Sequence, residues 1–307
     1  MEKRKVLVTG ASGYIAGLLL PALSERYELT LVDVRNTDRD GHTVPGVHIA
    51  DLIDRNRDAY RDLFSGVDAV VHCGFTRAAD ETDPDQRFQA EFSNVQMAYN
   101  VYQTSLEANV RRVVVASSNH AADYYEPLIL DRRMDFVFPN MRAFSDNYYG
   151  WAKEVYEHLG FVFAVGKASG GSAYNLNVAR GSGEKATPEF QPLENVQIRI
   201  GGPRETDVAM CTRGDMVRVR RALAVYISQR DLSQLFIKSI EAEDIRDEFG
   251  VPFQVFYGIS NNSHAFWSIA NARRVIGYEP EDNSEFRFQK EIDDHIAAAK
   301  TQGTLVS

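Results

Sequence analysis

Tyr149 and Lys153 stand four positions apart in the stretch DNYYGWAK, residues 146–153. On a helix of about 3.6 residues per turn, that spacing puts a phenol and an ammonium on one face. Tyr148 lies five positions from the lysine, points elsewhere, and is read as packing. A phenol titrates near pH 10 and is a poor base at neutral pH. A fixed positive charge beside it favours the phenolate. Such a pair can take a proton from a hydroxyl group, provided the fold buries it and supplies an acceptor for the electrons.

The scaffold reads as an alternation of strands and helices. Strands are expected at KVLVTG from Lys5, at Glu28–Asp33, around VHIADL, at Asp68–His72 and at Arg111–Ser117. Between them the periodicity predicts helices at Tyr14–Arg26, at about Arg55–Phe64 and at about Gln86–Asn109. Strands alternating with helices imply a Rossmann-type, doubly wound parallel α/β sheet. YGWAKEVYEHLG opens a further helix. The Gly- and Ser-rich stretch from Lys167 reads as a long loop or insertion, a candidate lid. Regular signals resume with the strand NVQIRIGGP, the helix RDLSQLFIKSIEAED, the strand FQVFYGIS and the helix FWSIANARRVIGY. The expected division is 1–190, a dinucleotide-binding domain carrying the Tyr–Lys pair, and 191–307, mainly a small substrate-binding lobe interwoven with it.

The first strand runs into TGASGYIAG, residues 9–17. Gly10 permits a tight turn, Gly13 lets the backbone approach a pyrophosphate, and the helix opening at Tyr14 and Ile15 offers unpaired N–H groups to it. Ala16 takes the usual third glycine position, with Gly17 beside it. Asp33 follows twenty residues after Gly13, at the end of the second strand. An acid there bonds the adenosine ribose and repels a 2′-phosphate, so NAD is expected over NADP, with Arg35 close enough to blunt the preference. A glycine turn needed only for packing would leave Asp33 unexplained. Asp51 and Leu52 are candidates to flank the adenine; the plainer reading of Asp51 is that it ends a strand. Cys73 reads as a packed thiol beside the cofactor.

TGASGYIAG, Asp33, SSNH at residues 117–120 and YGWAK together resemble the extended short-chain dehydrogenase/reductase family, over nearly the whole chain. The resemblance implies an upstream serine, Ser118 with Ser117 as the alternative, that holds the substrate oxygen. It makes Tyr149 the general base and gives Lys153 a second role, gripping the nicotinamide ribose, while hydride passes to the nicotinamide. Asn94 matches the asparagine that supports a proton-relay water; the plainer reading is a solvent-facing helical asparagine.

Further likeness, in VVVASSNHAADYY, NVQIRIGG and the stretch from FYGIS to EDNSEF, is to uronate dehydrogenases and related NAD-dependent sugar dehydrogenases, which oxidise an anomeric hydroxyl to a lactone. It implies that Ser118, Asn119 and His120 line the sugar and that Arg199 contacts a carboxylate. The residues themselves agree about Arg199: Val196, Ile198 and Ile200 share one strand face and leave the arginine on the other, with no obvious acid beside it. A structural salt bridge is the competing reading. Arg77 is a second anion candidate, and His120 could instead be a buried structural histidine. The residues between Leu130 and Asn147 and those after Lys167 exceed the pattern of the uronate enzymes. A sugar phosphate or pentose is therefore an alternative substrate. A nucleotide-sugar epimerase or dehydratase, and a non-catalytic NAD-binding regulator, are alternative functions.

The 307-residue chain is 44% hydrophobic and 25% charged, with a net charge of −9, which argues against nucleic acid and anionic membrane as partners. Two cysteines form neither a disulfide framework nor a metal-ligand spacing, so no metal is expected and a reducing cytoplasm is the natural setting. Homo-oligomerisation is expected by resemblance, through the helices that carry Asn94 and Tyr149.

Overall fold

The computed structural model describes residues 3–166 and 192–304. Its centre is a seven-stranded parallel sheet in the order β3-β2-β1-β4-β5-β6-β7. The strands are β1 Lys5–Thr9, β2 Glu28–Asp33, β3 Val47–Ile49, β4 Ala69–His72, β5 Arg112–Ser118, β6 Glu194–Ile200 and β7 Phe253–Gly258. The apolar runs VLV in β1 and AVV in β4 are buried on both faces, as central parallel strands require.

Alternate residues send their side chains to opposite faces, and each face has its own core. Val6 and Val8 pack beneath α1 (Tyr14–Arg26) and α6 (Gln229–Glu241), with α7 (Ala270–Ile276) completing that layer. Leu7 and Val70 pack beneath α2 (Pro84–Glu107) and α4 (Tyr148–Ala164). The helix starts are legible in their chemistry. Asp83 accepts from the amides of Asp85 and Gln86 with Pro84 next to it, and Asn147 accepts from the amide of Gly150 at 2.9 Å.

β6 and β7 join the same sheet as the first five strands, in unbroken parallel register from Arg112↔Glu194 to Ile200↔Gly258. Beyond their carboxyl ends lie α3 (Glu126–Leu130), α5 (Met216–Val225), α8 (Ser284–Arg287) and α9 (Gln289–Gln302). The segment between α3 and α4 is stitched to the C-terminal part, the Val137 N–H donating to Phe266 O at 2.7 Å and the Ser268 N–H to Val137 O at 3.0 Å. Trp267 lies in the core there, 2% exposed.

One expected helix is absent. Residues 55–64 form two 3₁₀ turns, Arg57–Ala59 and Arg61–Phe64, because Tyr60 leaves helical geometry (φ −142°) to bury its ring and donate to Asp54 O at 2.9 Å. α3, α5, α8 and α9 are not among the expected elements. The expected loop from Lys167, and with it the division at residue 190, falls outside the described residues. Among the described residues no helix is long and apolar enough to cross a membrane.

Under the sheet's working edge, Thr9 Oγ1 and His72 Nδ1 lie 2.6 Å apart. Burial, helped by the Lys153 charge, pushes the imidazole down to about 3. The folded state therefore keeps this histidine neutral while the unfolded chain takes up a proton below about pH 6.5. Stability should fall as pH drops through that window, by about 2 kcal/mol between pH 7.5 and pH 5 from this residue. Urea midpoints at the two pH values, compared with those of His72→Gln, would measure it; equal pH dependence in both proteins contradicts the assignment.

Candidate active site

The strand order reverses direction about β1, so the carboxyl ends of β1 and β4 open into a crevice, where ligands of such sheets bind. β1 runs into Gly10, whose φ of +64° lies in the left-handed region. A Cβ there would meet the carbonyl carbon and oxygen of Cys73 at 2.6 Å. The turn closes with the Gly13 amide on Gly10 O at 2.9 Å, and the Gly17 amide reaches back to Gly13 O at 2.9 Å. Gly13 caps α1 without a side-chain bond, so the amides of Tyr14 and Ile15 have no helical partner at the positive end of the helix dipole. Asp33 Oδ2 accepts from the Ser12 amide at 3.0 Å, which fixes the carboxylate beside this turn. A cradle that a side chain would fill, orphan amides and a flanking carboxylate fit a dinucleotide.

The other residues expected at the cofactor take up nearby positions. The Tyr14 hydroxyl donates to Pro203 O at 2.8 Å and its ring lies under the Arg39 guanidinium, so the side chain braces a loop and leaves its amide for a ligand. Ile15 packs partly into the core. Asp51 Oδ1 accepts from the Ile53 amide at 2.9 Å in an exposed turn, while Leu52 is buried. Cys73 follows β4, its amide donating to Thr9 O at 3.1 Å. Burial pushes its thiol up to about 12, against the opposing pull of Lys153.

α4 carries the expected pair. Lys153 is 5% exposed, its Nζ donates to Ala116 O at 3.1 Å, and it lies 5.2 Å from the Tyr149 ring centre. It takes part in no ion pair among the described residues, so its charge is left for the aromatic rings around it. Tyr149 is clasped edge-on by Phe75 at 5.4 Å and by His120 at 5.6 Å between ring centres. A Cβ on Gly150 would stand 2.1 Å from His120 O, so only glycine lets α4 start this close to the end of β5. Tyr148 faces outward against Phe88.

The two serines separate. The Ser117 hydroxyl donates to Glu157 Oε1 at 2.5 Å and is committed. Ser118 Oγ accepts from the His120 amide at 3.3 Å, which leaves its own hydrogen to donate. Asn119 is buried and donates to Glu126 at 3.4 Å, while His120 Nδ1 meets Asp123 Oδ2 at 2.5 Å. Asn94 holds the Thr76 backbone at both ends, accepting from its N–H at 2.8 Å and donating to its C=O at 3.0 Å. Its amide also donates to Glu91, a carboxyl raised by burial, which borders a pocket of about 200 Å³ opening beside Tyr149. Asn94 thus anchors the loop that carries Phe75. Arg77, on that loop, is exposed and sits 5.9 Å over the Phe75 ring.

Arg199 corrects the reading made from its strand. It is 2% exposed and pairs with Glu157 through Nη2 at 2.8 Å and Nε at 3.1 Å, while Nη1 donates to the Tyr257 hydroxyl at 3.0 Å. Burial works against its charge, but Glu157 and Tyr257 more than offset that and raise its pKa. The strand alternation was right, but the acid comes from α4, packed on that face. A guanidinium satisfied in this way is structural, not a free anion contact. Glu157 was missed although it follows Lys153 by four residues, on the same helix face, a spacing that could have found it.

The family model described as the NAD dependent epimerase/dehydratase family matches residues 6–189. Among curated relatives, an NAD-dependent glucose-6-phosphate dehydrogenase of Haloferax volcanii is 27% identical over 93% of this chain and 97% of its own length. An L-arabinose 1-dehydrogenase (NAD(P)(+)) of the same organism is 27% identical over 91% of this chain and 97% of its own. Among solved structures, a uronate dehydrogenase from Agrobacterium tumefaciens complexed with NAD superposes with a TM-score of 0.66, at 22% identity, over 95% of this chain and 90% of that one.

Two substitutions test the geometry. Glu157→Ala would leave the buried Arg199 charge unpaired and should cost about 3–5 kcal/mol in urea unfolding; a loss below about 1 kcal/mol, as for a surface pair, would contradict it. Gly10→Ala should weaken NAD binding at least tenfold, on the order of 1.4 kcal/mol, in calorimetric titration. Unchanged affinity would mean that the cradle lies elsewhere.

Proposed function

This chain belongs to the NAD dependent epimerase/dehydratase family, and from that premise we propose that it is an NAD-dependent oxidoreductase acting on a CH–OH group of a sugar. The reaction proposed is oxidation of the anomeric hydroxyl of a free aldose or sugar acid to the lactone, with a uronate as the first substrate to test. The observation that carries it is the buried Lys153 cation, without an ion pair among the described residues, set 5.2 Å from the Tyr149 ring and beside the Ser118 hydroxyl.

Gly10, Gly13 and the amides of Tyr14 and Ile15 would hold the pyrophosphate of NAD, and Asp33 the adenosine ribose. NAD supplies the hydride acceptor. Ser118 donates to the substrate oxygen and fixes its place. Tyr149 takes the hydroxyl proton on its phenolate oxygen, and Lys153 compensates the phenolate charge from within the protein. Phe75 and His120 cover the phenol from two sides and restrict water there. Asn94 acts by fixing the Phe75 loop.

With Arg199 committed to Glu157, Arg77 is the candidate for a carboxylate or phosphate on the substrate. It belongs to no ion pair among the described residues and shares the Phe75 loop. The relatives' names point to free sugars and sugar phosphates, which supports a small substrate over a nucleotide sugar. Cys73 and Cys211 are free thiols, in keeping with a reducing cytoplasm. A homodimer through α2 and α4 accords with Phe92 and Tyr148, 48% and 41% exposed, flanking Phe88 and Trp151.

The test is NADH formation with glucuronate, galacturonate, glucose 6-phosphate, arabinose and glucose offered in turn. Turnover is expected with at least one, and Tyr149→Phe should lower kcat by about 100-fold or more with NAD affinity unchanged. No turnover across the panel, with NAD retained through purification, would favour an epimerase instead.

A further inference from the structure

Residues 119–125 form two 3₁₀ turns after β5, joined by a kink at Ala122 (φ −135°, ψ 25°). Asp123 stands three positions after His120, across that kink. Asp123 Oδ2 lies 2.5 Å from His120 Nδ1 and accepts from Asn147 Nδ2 at 3.3 Å. Asn147 is the N-cap of α4, its own side chain holding the Gly150 amide. One carboxylate thus grips both the ring that lies edge-on to Tyr149 and the helix start that carries Tyr149. The neighbouring cation, Arg221, is engaged elsewhere, by Glu126 at 2.9 Å and 3.1 Å.

We propose that Asp123 is a positioning residue that fixes the tautomer of His120, so that its Nε2 accepts a hydrogen bond from a sugar hydroxyl next to the one being oxidised. An ionised carboxylate only accepts, so the nitrogen facing it carries the proton. Nε2 of the neutral ring is then an acceptor. An acceptor at that place pairs with a hydroxyl and repels a carboxylate or phosphate. The anionic end of a substrate is therefore directed away from His120. The inference rests on the sugar-oxidising reading above, and names which part of the sugar meets this side of the site.

A double-mutant cycle with the full-length protein tests it, together with the nitrogen resonances of the histidine rings. Asp123→Ala should lower kcat/KM for the sugar about tenfold or more, through KM for the sugar rather than KM for NAD. His120→Ala should do the same, and the double variant should be no worse than His120→Ala alone. Additive losses would mean that Asp123 acts independently of His120, and would overturn the proposal. Should Asp123→Ala not fold, the wild-type protein with NAD alone still decides. Its long-range proton–nitrogen spectrum, assigned with His120→Ala, should show Nδ1 protonated, and a proton on Nε2 instead would refute the tautomer. That spectrum needs no turnover, so a failed sugar assay would strike the proposed activity and leave the tautomer to be judged by itself.

Discussion

Glu157 and Arg199 form a buried ion pair on which the geometry of the site depends. Two charges taken out of water repay their desolvation only when every remaining donor and acceptor is met. Here Ser117 on β5 and Tyr257 on β7 complete the set. The result joins three strands to α4 at one point, a single turn beyond Lys153. A helix that could rotate or slide on the sheet would carry Tyr149 and Lys153 with it. This pair forbids that, because any movement strands a charge in the core.

The ends of the strands do the rest. β1 delivers Gly10 and the open start of α1, β4 delivers Cys73 and the Phe75 loop, and β5 delivers Ser118 and His120. Parallel strands release all these residues on the same edge, so groups far apart in the chain converge without any long-range design of loops. Gly150 then lets α4 begin against the backbone of His120, which closes the distance between phenol and imidazole. Asn94 ties the third wall, the Phe75 loop, back to α2.

Much of this was legible beforehand. The apolar runs of β1, β4 and β5, the Gly10–Gly13 turn with Asp33, and the one-turn spacing of Tyr149 and Lys153 each carry a local signal, and each lies where it was expected. What escaped was non-local. Arg199 looked unpaired because its acid is on another element, and the Tyr60 turn looked helical because its deviation comes from burying one ring. The choice between Ser117 and Ser118 could not be made from the strand either, since it turns on Glu157. Asp123 was invisible for a related reason: three residues after a histidine means little until the backbone, here kinked at Ala122, brings the two side chains together.

The stitching of Val137 to Phe266 and Ser268 has a consequence for how the chain reaches this state. The segment that leads into α4 takes its backbone partners at Val137 from Phe266 and Ser268, far along the chain from it. On a ribosome, the flank at Val137 must therefore stay open until residues 266–268 have emerged. Contacts of such sequence separation are slow to form and leave apolar surface exposed in the interval. Phe136 and Phe138, on that waiting segment, stay half exposed even in the finished fold. The chain therefore passes a stage during synthesis in which the segment before Tyr149 has emerged and its partners at residues 266–268 have not.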